Sequence, residues 1–234
     1  MKTFQRTEIL YGPLSLEKFF NARVTIIGLG AVGSFAAEAL ARIGVSNFKL
    51  VDFDIVEESN INRQLFALHS TISKKKCDIA KERILDINPK AKVESINLFV
   101  EKDNLAPITK DTDVIVDAID SLKSKIDLLE FAANNEIKIV SSMGAARRKD
   151  VSKIQCTDLF KTYNCPLASK IRKELRHRKI NTHIDCVFSS ELAEKETHVQ
   201  SASEESKRLV GSSVIITGIF GLCLANLAIK KLLA

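Results

Sequence analysis

The sequence predicts a doubly wound α/β fold: a mostly parallel, Rossmann-like sheet with helices on both faces and a C-terminal extension. Three observations carry this. A glycine turn joins a β-branched apolar run to a small-residue helix at 22–45. Strand-like and helix-like segments then alternate up to residue 145. Apolar residues are 45% of the 234, enough to cover both faces of a sheet.

Taken in order, "ARVTIIGLGAVGSFAAEALARIGV" (22–45) reads as strand, tight turn and helix, and "SNFKLVDFD" (46–54) as a second strand. "SKKKCDIAKERILDINP" (73–89) is a helix stopped by Pro89, and "AKVESINLFV" (91–100) alternates like a strand. "TDVIVDAID" (112–120) reads as a buried strand, 121–136 as a helix and 137–145 as another strand. Beyond it, 149–160 reads as a strand leading into a helix start, 165–179 as a basic helix and 183–191 as a strand. Residues 192–213 are polar and serine-rich and read as a mobile loop. The expectation is one domain over 1–234, with a nucleotide-binding core at 22–145 and a substrate-side extension at 146–234.

The apolar run at 214–229 is shorter than the roughly 20 residues a membrane span needs. It reads as a buried helix in which Gly218 and Gly221 permit close packing. The N-terminus lacks the apolar core of a signal peptide, and five cysteines contain no C-x-x-C pair. These features predict a cytoplasmic protein without a disulfide framework, a four-cysteine zinc site or a membrane partner. A formal charge of +6 fits a polyanionic partner without requiring one.

Gly28, Gly30 and Gly33 form G-x-G-x-x-G, whose backbone can approach phosphate oxygens at a helix N-terminus. Asp52, 19 residues past Gly33, is placed to accept ribose hydroxyls, which leaves NAD or ATP open. Asp54 could support the loop or approach a metal. The polar cluster of Asn60, Arg63 and Gln64 follows, with Lys76 13 residues past Arg63. One Arg and one Lys directed at a single nucleotide suggest more phosphate charge than a diphosphate bridge carries. Asp120, at the end of "VIVDAID", then suits Mg²⁺ beside a triphosphate, whereas Asp117 falls within the strand.

Together, "GLGAVGS" with Asp52, "SNINRQ", Lys76 and "DAIDS" resemble the ubiquitin-activating-like adenylating superfamily. The resemblance implies that Asp52 binds ribose, that Asn60, Arg63 and Lys76 hold phosphates, and that Asp120 binds Mg²⁺. It also points to Arg6 in "RTEIL", as an arginine on an extended N-terminal arm that reaches the nucleotide of a partner subunit in a homodimer. "SSMGAARRKDVSKIQCTDLFKTYNCPLASKIRKEL", "HIDCVFSSE" and "VGSSVIITGIFG" are similar to a narrower branch, the tRNA threonylcarbamoyladenosine dehydratases. That branch implies ATP-dependent ring closure of a threonyl carboxylate on tRNA. A monovalent cation and a sulfur-transfer partner of the cysteine desulfurase system are further candidates.

Two basic clusters are candidate tRNA contacts: Arg147 and Arg148 near the crevice, and Lys170, Arg172, Arg176 and Lys179 in the basic helix. Arg172, Arg176 and Lys179 are expected on one helical face. Where the branch is usually glycine-rich, this chain has "AARRKD". Cys186 is expected to be a buried structural thiol, since intramolecular ring closure needs no thioester. Other readings are an activator of a sulfur-carrier C-terminus, a non-catalytic nucleotide-binding scaffold and a dehydrogenase. The missing zinc pairs argue against the first, and the phosphate cluster argues against the other two.

Overall fold

β-Branched runs and small-residue helices build the layers that this patterning predicts. The computed structural model describes residues 2–192 and 210–234. The chain opens with α1 (Gln5–Tyr11) and α2 (Pro13–Asn21), then β1 (Arg23–Ile27), α3 (Gly33–Ile43) and β2 (Asn47–Val51). Next come α4 (Lys76–Ile87), β3 (Lys92–Ile96), α5 (Leu105–Thr109), β4 (Val114–Asp117), α6 (Leu122–Asn134) and β5 (Ile139–Ser142). β6 (Ile154–Asp158), α7 (Pro166–His177), β7 (Asp185–Ser189) and α8 (Val214–Leu233) complete the described elements.

Seven strands form one sheet in the order β3-β2-β1-β4-β5-β7-β6. Every pairing is parallel except β6 with β7. Chain order reverses between β1 and β4, so the crevice beyond their carboxyl ends is the place for a ligand. One core cluster joins Phe19, Ile26, Leu40, Leu50 and Phe220, and a second joins Ile27, Leu105, Ile115, Leu129 and Phe188. Neighbouring residues Ile26 and Ile27 thus serve opposite faces of one central strand, as alternation requires.

Three features depart from expectation. The N-terminal segment is not an extended arm. It forms α1 and α2, and it reaches only about 1.5 Å per residue where helical. The strand predicted at 112–120 ends at Asp117, so Asp120 lies in the turn before α6 rather than closing the strand. α5 lies in a stretch, 101–111, that the sequence leaves unassigned; its Pro107 sits in the first turn, where proline is tolerated. Most of the loop expected at 192–213 lies outside the described residues.

α8 is long and apolar enough to cross a membrane by length and composition. Here it packs against α3 and the middle of the sheet, with Ile216, Phe220, Leu224 and Ala228 fully buried. Gly221 makes this approach possible: an added Cβ would lie 2.5 Å from Val32 O and 2.6 Å from Phe35 Cβ. At Gly218 the nearest atom would be a movable ring carbon of Phe35 at 3.3 Å. Gly221→Ala should therefore destabilise the fold by about 1–3 kcal/mol through overpacking, and Gly218→Ala by less. Urea unfolding of the two variants measures the difference.

Candidate nucleotide site

The sheet's carboxyl edge opens into a cavity of ≈ 780 Å³. Gly28 has φ 89°, and a Cβ on it would lie 2.6 Å from Ala118 O; a Cβ on Gly33 would lie 1.8 Å from Gly28 O. The turn is therefore backbone packed on backbone. It leaves the N-terminus of α3 directed at the cavity, where backbone N–H groups and the helix dipole favour an anion.

Asp52 follows β2 and is buried. Its Oδ2 accepts from Leu29 N at 2.6 Å and its Oδ1 from Asp54 N at 2.8 Å. The carboxylate thus ties the glycine turn to the next loop while lining the cavity. Burial raises its pKa, opposed by the two backbone donors and Lys76. Lys76 opens α4, and its buried ammonium lies 2.8 Å from Oδ2 of the half-exposed Asp54. Asp54 also lines the cavity, and Lys76 N donates to its carbonyl at 3.1 Å.

Asn60 and Gln64 are buried beneath the same wall. The Asn60 side chain accepts from Glu57 N at 3.3 Å and so shapes its own turn. Arg63 is half-buried at the rim, where Nη1 donates to Ser59 O at 2.7 Å and to Asn62 Oδ1 at 2.8 Å. Asp120 is exposed, lines the cavity and has no side-chain hydrogen bond or ion pair among the described residues. Phe53 and Phe99, not anticipated from sequence, form an apolar wall, their rings edge-to-face at 4.8 Å. The available signal was an aromatic residue flanked by Asp52 and Asp54.

Among the described residues, no group of three or more His, Cys, Asp or Glu is placed to hold a metal ion. One free carboxylate facing a cavity suits Mg²⁺, which commonly takes one or two carboxylates and completes its shell with phosphates and water. The donor set therefore fits that ion at Asp120.

The basic residues divide. Leu167, in the first turn of α7, lines the cavity, and Lys170 and Arg176 are exposed further along this helix. Arg176 lies over the Phe160 ring, 5.5 Å from its centroid. Arg172 is half-buried and donates to Thr162 Oγ1. Lys179 lies beyond the end of α7 with φ 60°, so it does not extend the helical face of Arg172 and Arg176. Arg147 is exposed, and its backbone N–H donates to Gly211 O at 3.0 Å. Arg148 is a correction: it is buried, with Nη2 donating to Asn164 O at 2.9 Å, and is no surface contact. Cys186 lies fully buried in β7, and burial pushes its thiol well up, as suits a structural cysteine.

A ThiF family profile matches residues 4–234. The chain belongs to the ThiF family. It is 36% identical to the tRNA threonylcarbamoyladenosine dehydratase of Escherichia coli K12, over 99% of this chain and 93% of that protein. It is 40% identical to the Bacillus subtilis enzyme of that name, over 80% of this chain and 74% of the other. The solved E. coli structure in complex with ATP superposes with a TM-score of 0.90 at 35% identity, covering 99% of this chain and 94% of that one.

Asp52 yields a prediction with a definite sign. Because its folded pKa is raised, its contribution to stability is full below the ordinary carboxylate pKa of 3.8 and is lost as pH rises through the raised value. Asp52→Asn should remove that limb of the stability–pH curve, as read by urea unfolding from pH 4 to pH 7. Loss of a charged acceptor should also weaken adenosine binding roughly tenfold or more, by calorimetry.

Proposed function

We propose that this chain is an ATP-dependent tRNA threonylcarbamoyladenosine dehydratase that closes a ring by adenylating the threonyl carboxylate. The observation that carries this reading is the near-complete match to the E. coli enzyme, joined to one cavity lined by Gly28, Asp52, Arg63, Lys76 and Asp120.

A carboxylate is a poor acyl electrophile because its leaving group would be oxide. Its oxygen attacks the α-phosphorus of ATP, the α–β bridge breaks, and pyrophosphate departs. A nucleophile within the same modified side chain then attacks the acyl carbon, and AMP leaves carrying the former carboxylate oxygen. Water is lost overall from the nucleoside. In this reading Asp52 accepts the ribose hydroxyls, while Phe53 and Phe99 supply the apolar wall for adenine. The backbone around Gly28, Gly30 and Gly33 cradles phosphate, with Asn60 and Gln64 shaping the wall behind it. Arg63 and Lys76 neutralise the charge that accumulates on departing pyrophosphate. Asp120 would hold Mg²⁺, which would supply Lewis-acid stabilisation of that charge. The substrate-side extension (146–234) receives tRNA, with Lys170, Arg172 and Arg176 of α7 and Arg147 beside the cavity facing its backbone. A cytoplasmic location goes with a tRNA substrate.

Incubation of purified protein with tRNA, ATP and Mg²⁺, followed by nucleoside mass spectrometry, should show threonylcarbamoyladenosine losing the mass of one water. Asp120→Ala should abolish this loss while retaining much of the ATP affinity. Untouched tRNA alongside pyrophosphate exchange driven by a carrier-protein tail would replace this reading with a carrier activator.

The exposed Ile9 and Leu10 of α1 and Leu14 of α2 support a two-fold homodimer in which Arg6, on α1, reaches the partner's nucleotide. Arg6→Ala and Lys76→Ala homodimers should each be nearly inactive. After subunit exchange at equal amounts, activity should return to roughly a quarter of the parent, because half the dimers are mixed and each has one intact site. A mixture that stays dead despite demonstrated exchange would place Arg6 outside the partner's site.

A further inference from the structure

Beneath the cavity lies a buried ionic network that the phosphate-binding residues do not include. Lys125 and Asp117 are both fully buried, with Nζ 2.6 Å from Oδ2. Ser141 Oγ donates to the same Oδ2 at 2.6 Å and lies 3.3 Å from Lys125 Nζ. The other carboxylate oxygen, Oδ1, accepts from Ile119 N at 3.0 Å. Three elements therefore meet at one carboxylate: the last residue of β4, the first turns of α6, and β5, where Ser141 is the register partner of Asp117.

What this network holds is the turn from 118 to 121. Ala118 N donates to Ile27 O at 2.9 Å, Ile119 N is captured by Asp117, and Lys125 N donates to Ser121 O at 3.0 Å. Every anchor of the turn runs to the sheet, to the Asp117 carboxylate or to the residue carrying the Lys125 ammonium. Asp120 sits in the middle of this turn, and its own carboxylate has no protein partner among the described residues. Its location is thus set by backbone alone. The same network reaches the opposite wall through Ser141, because Ser142, Met143 and Gly144 follow directly and line the cavity.

We infer that Asp117, Lys125 and Ser141 are positioning residues for the adenylation step, clamping the 118–121 turn so that Asp120 meets the nucleotide's phosphates at a fixed place. A purely stabilising ion pair would be satisfied anywhere in the core. This one is spent at the single turn that carries an otherwise unanchored functional carboxylate. The inference rests on Asp120 acting at the site, so Asp120→Ala is measured in parallel.

The test uses the full-length protein with two substitutions made together, Asp117→Asn and Lys125→Met. They remove both charges at nearly constant volume and leave no buried ion unpaired. Ser141→Ala is the milder companion, which keeps the charges. Amide hydrogen exchange at Ile119, relative to amides of β1, should accelerate at least tenfold in the double variant and about threefold in Ser141→Ala. kcat should fall tenfold or more in the double variant, with KM for ATP within threefold of the parent. A structural role alone would lower the melting temperature of both variants but leave relative Ile119 exchange and kcat of the folded protein unchanged, and that outcome overturns the inference. Should the double variant fail to fold, Ser141→Ala decides alone: parent-like Ile119 exchange and kcat reject the clamp. An active Asp120→Ala would instead reject the role of Asp120. An inactive Asp120→Ala beside parent-like network variants rejects only the clamp.

Discussion

At the glycine turn three stretches of backbone meet with no side chain between them. Gly33 sits on Gly28, Gly28 sits on Ala118, and one helix away Gly221 sits on Val32. Because each gap is narrower than a methyl group, the placements of α3, β4 and α8 are coupled. The helix N-terminus can face a phosphate only if α3 lies this close to the sheet, and α8 must then cross it at a glycine. The apolar composition of α8 follows from the same packing: it covers the sheet where a polar helix would leave buried groups without partners.

The charges show a second constraint. A pocket for a triphosphate needs cations, yet cations without partners are costly before the ligand arrives. Lys76 is buried, but its partner Asp54 is half exposed, so water reaches the carboxylate side of the pair. Such a pair can exchange a carboxylate for a phosphate. Lys125 and Asp117 are different. Both are fully buried, and removing one partner of such a pair typically costs about 3–5 kcal/mol. The pair with one half-exposed partner lines the cavity, and the fully buried pair lies behind it.

The parts legible in the sequence were those with short-range rules. Strand, glycine turn and helix follow from local periodicity, and Asp52 from its distance to Gly33. Asp117 was assigned to the strand and lies there, but its meaning was hidden. Its partners are Lys125, eight residues along and on a helix, and Ser141, on the neighbouring strand. No window of sequence contains that geometry. Arg148 was misjudged because an arginine beside Arg147 and Lys149 reads as surface charge, whereas the turn buries it against the carbonyl of Asn164. The N-terminal helices were missed because α1 is short and buries none of its residues, leaving Ile9 and Leu10 exposed, while α2 turns only Leu16 and Phe19 into the core.

The last constraint concerns how, on the proposed reading, a large substrate and a small one share a site. The cavity opens where β1, β2 and β4 end, between the glycine turn and the Phe53–Phe99 wall. In the proposed reaction a nucleotide of tRNA brings its carboxylate to the α-phosphate from the open side, where Met143, Gly144 and Leu167 line the cavity. Leu167 belongs to the first turn of α7, while the exposed cations Lys170 and Arg176 belong to its later turns. With 1.5 Å of rise per residue, Arg176 lies about 13–14 Å along the helix from Leu167. One rigid helix therefore sets the distance between the cavity wall and these exposed charges. A side chain grafted on a single base can satisfy both ends only if its neighbouring phosphates lie along that helix. The net charge of the chain says little about this; the placement of a few cations on one element, beginning at the cavity wall, says more.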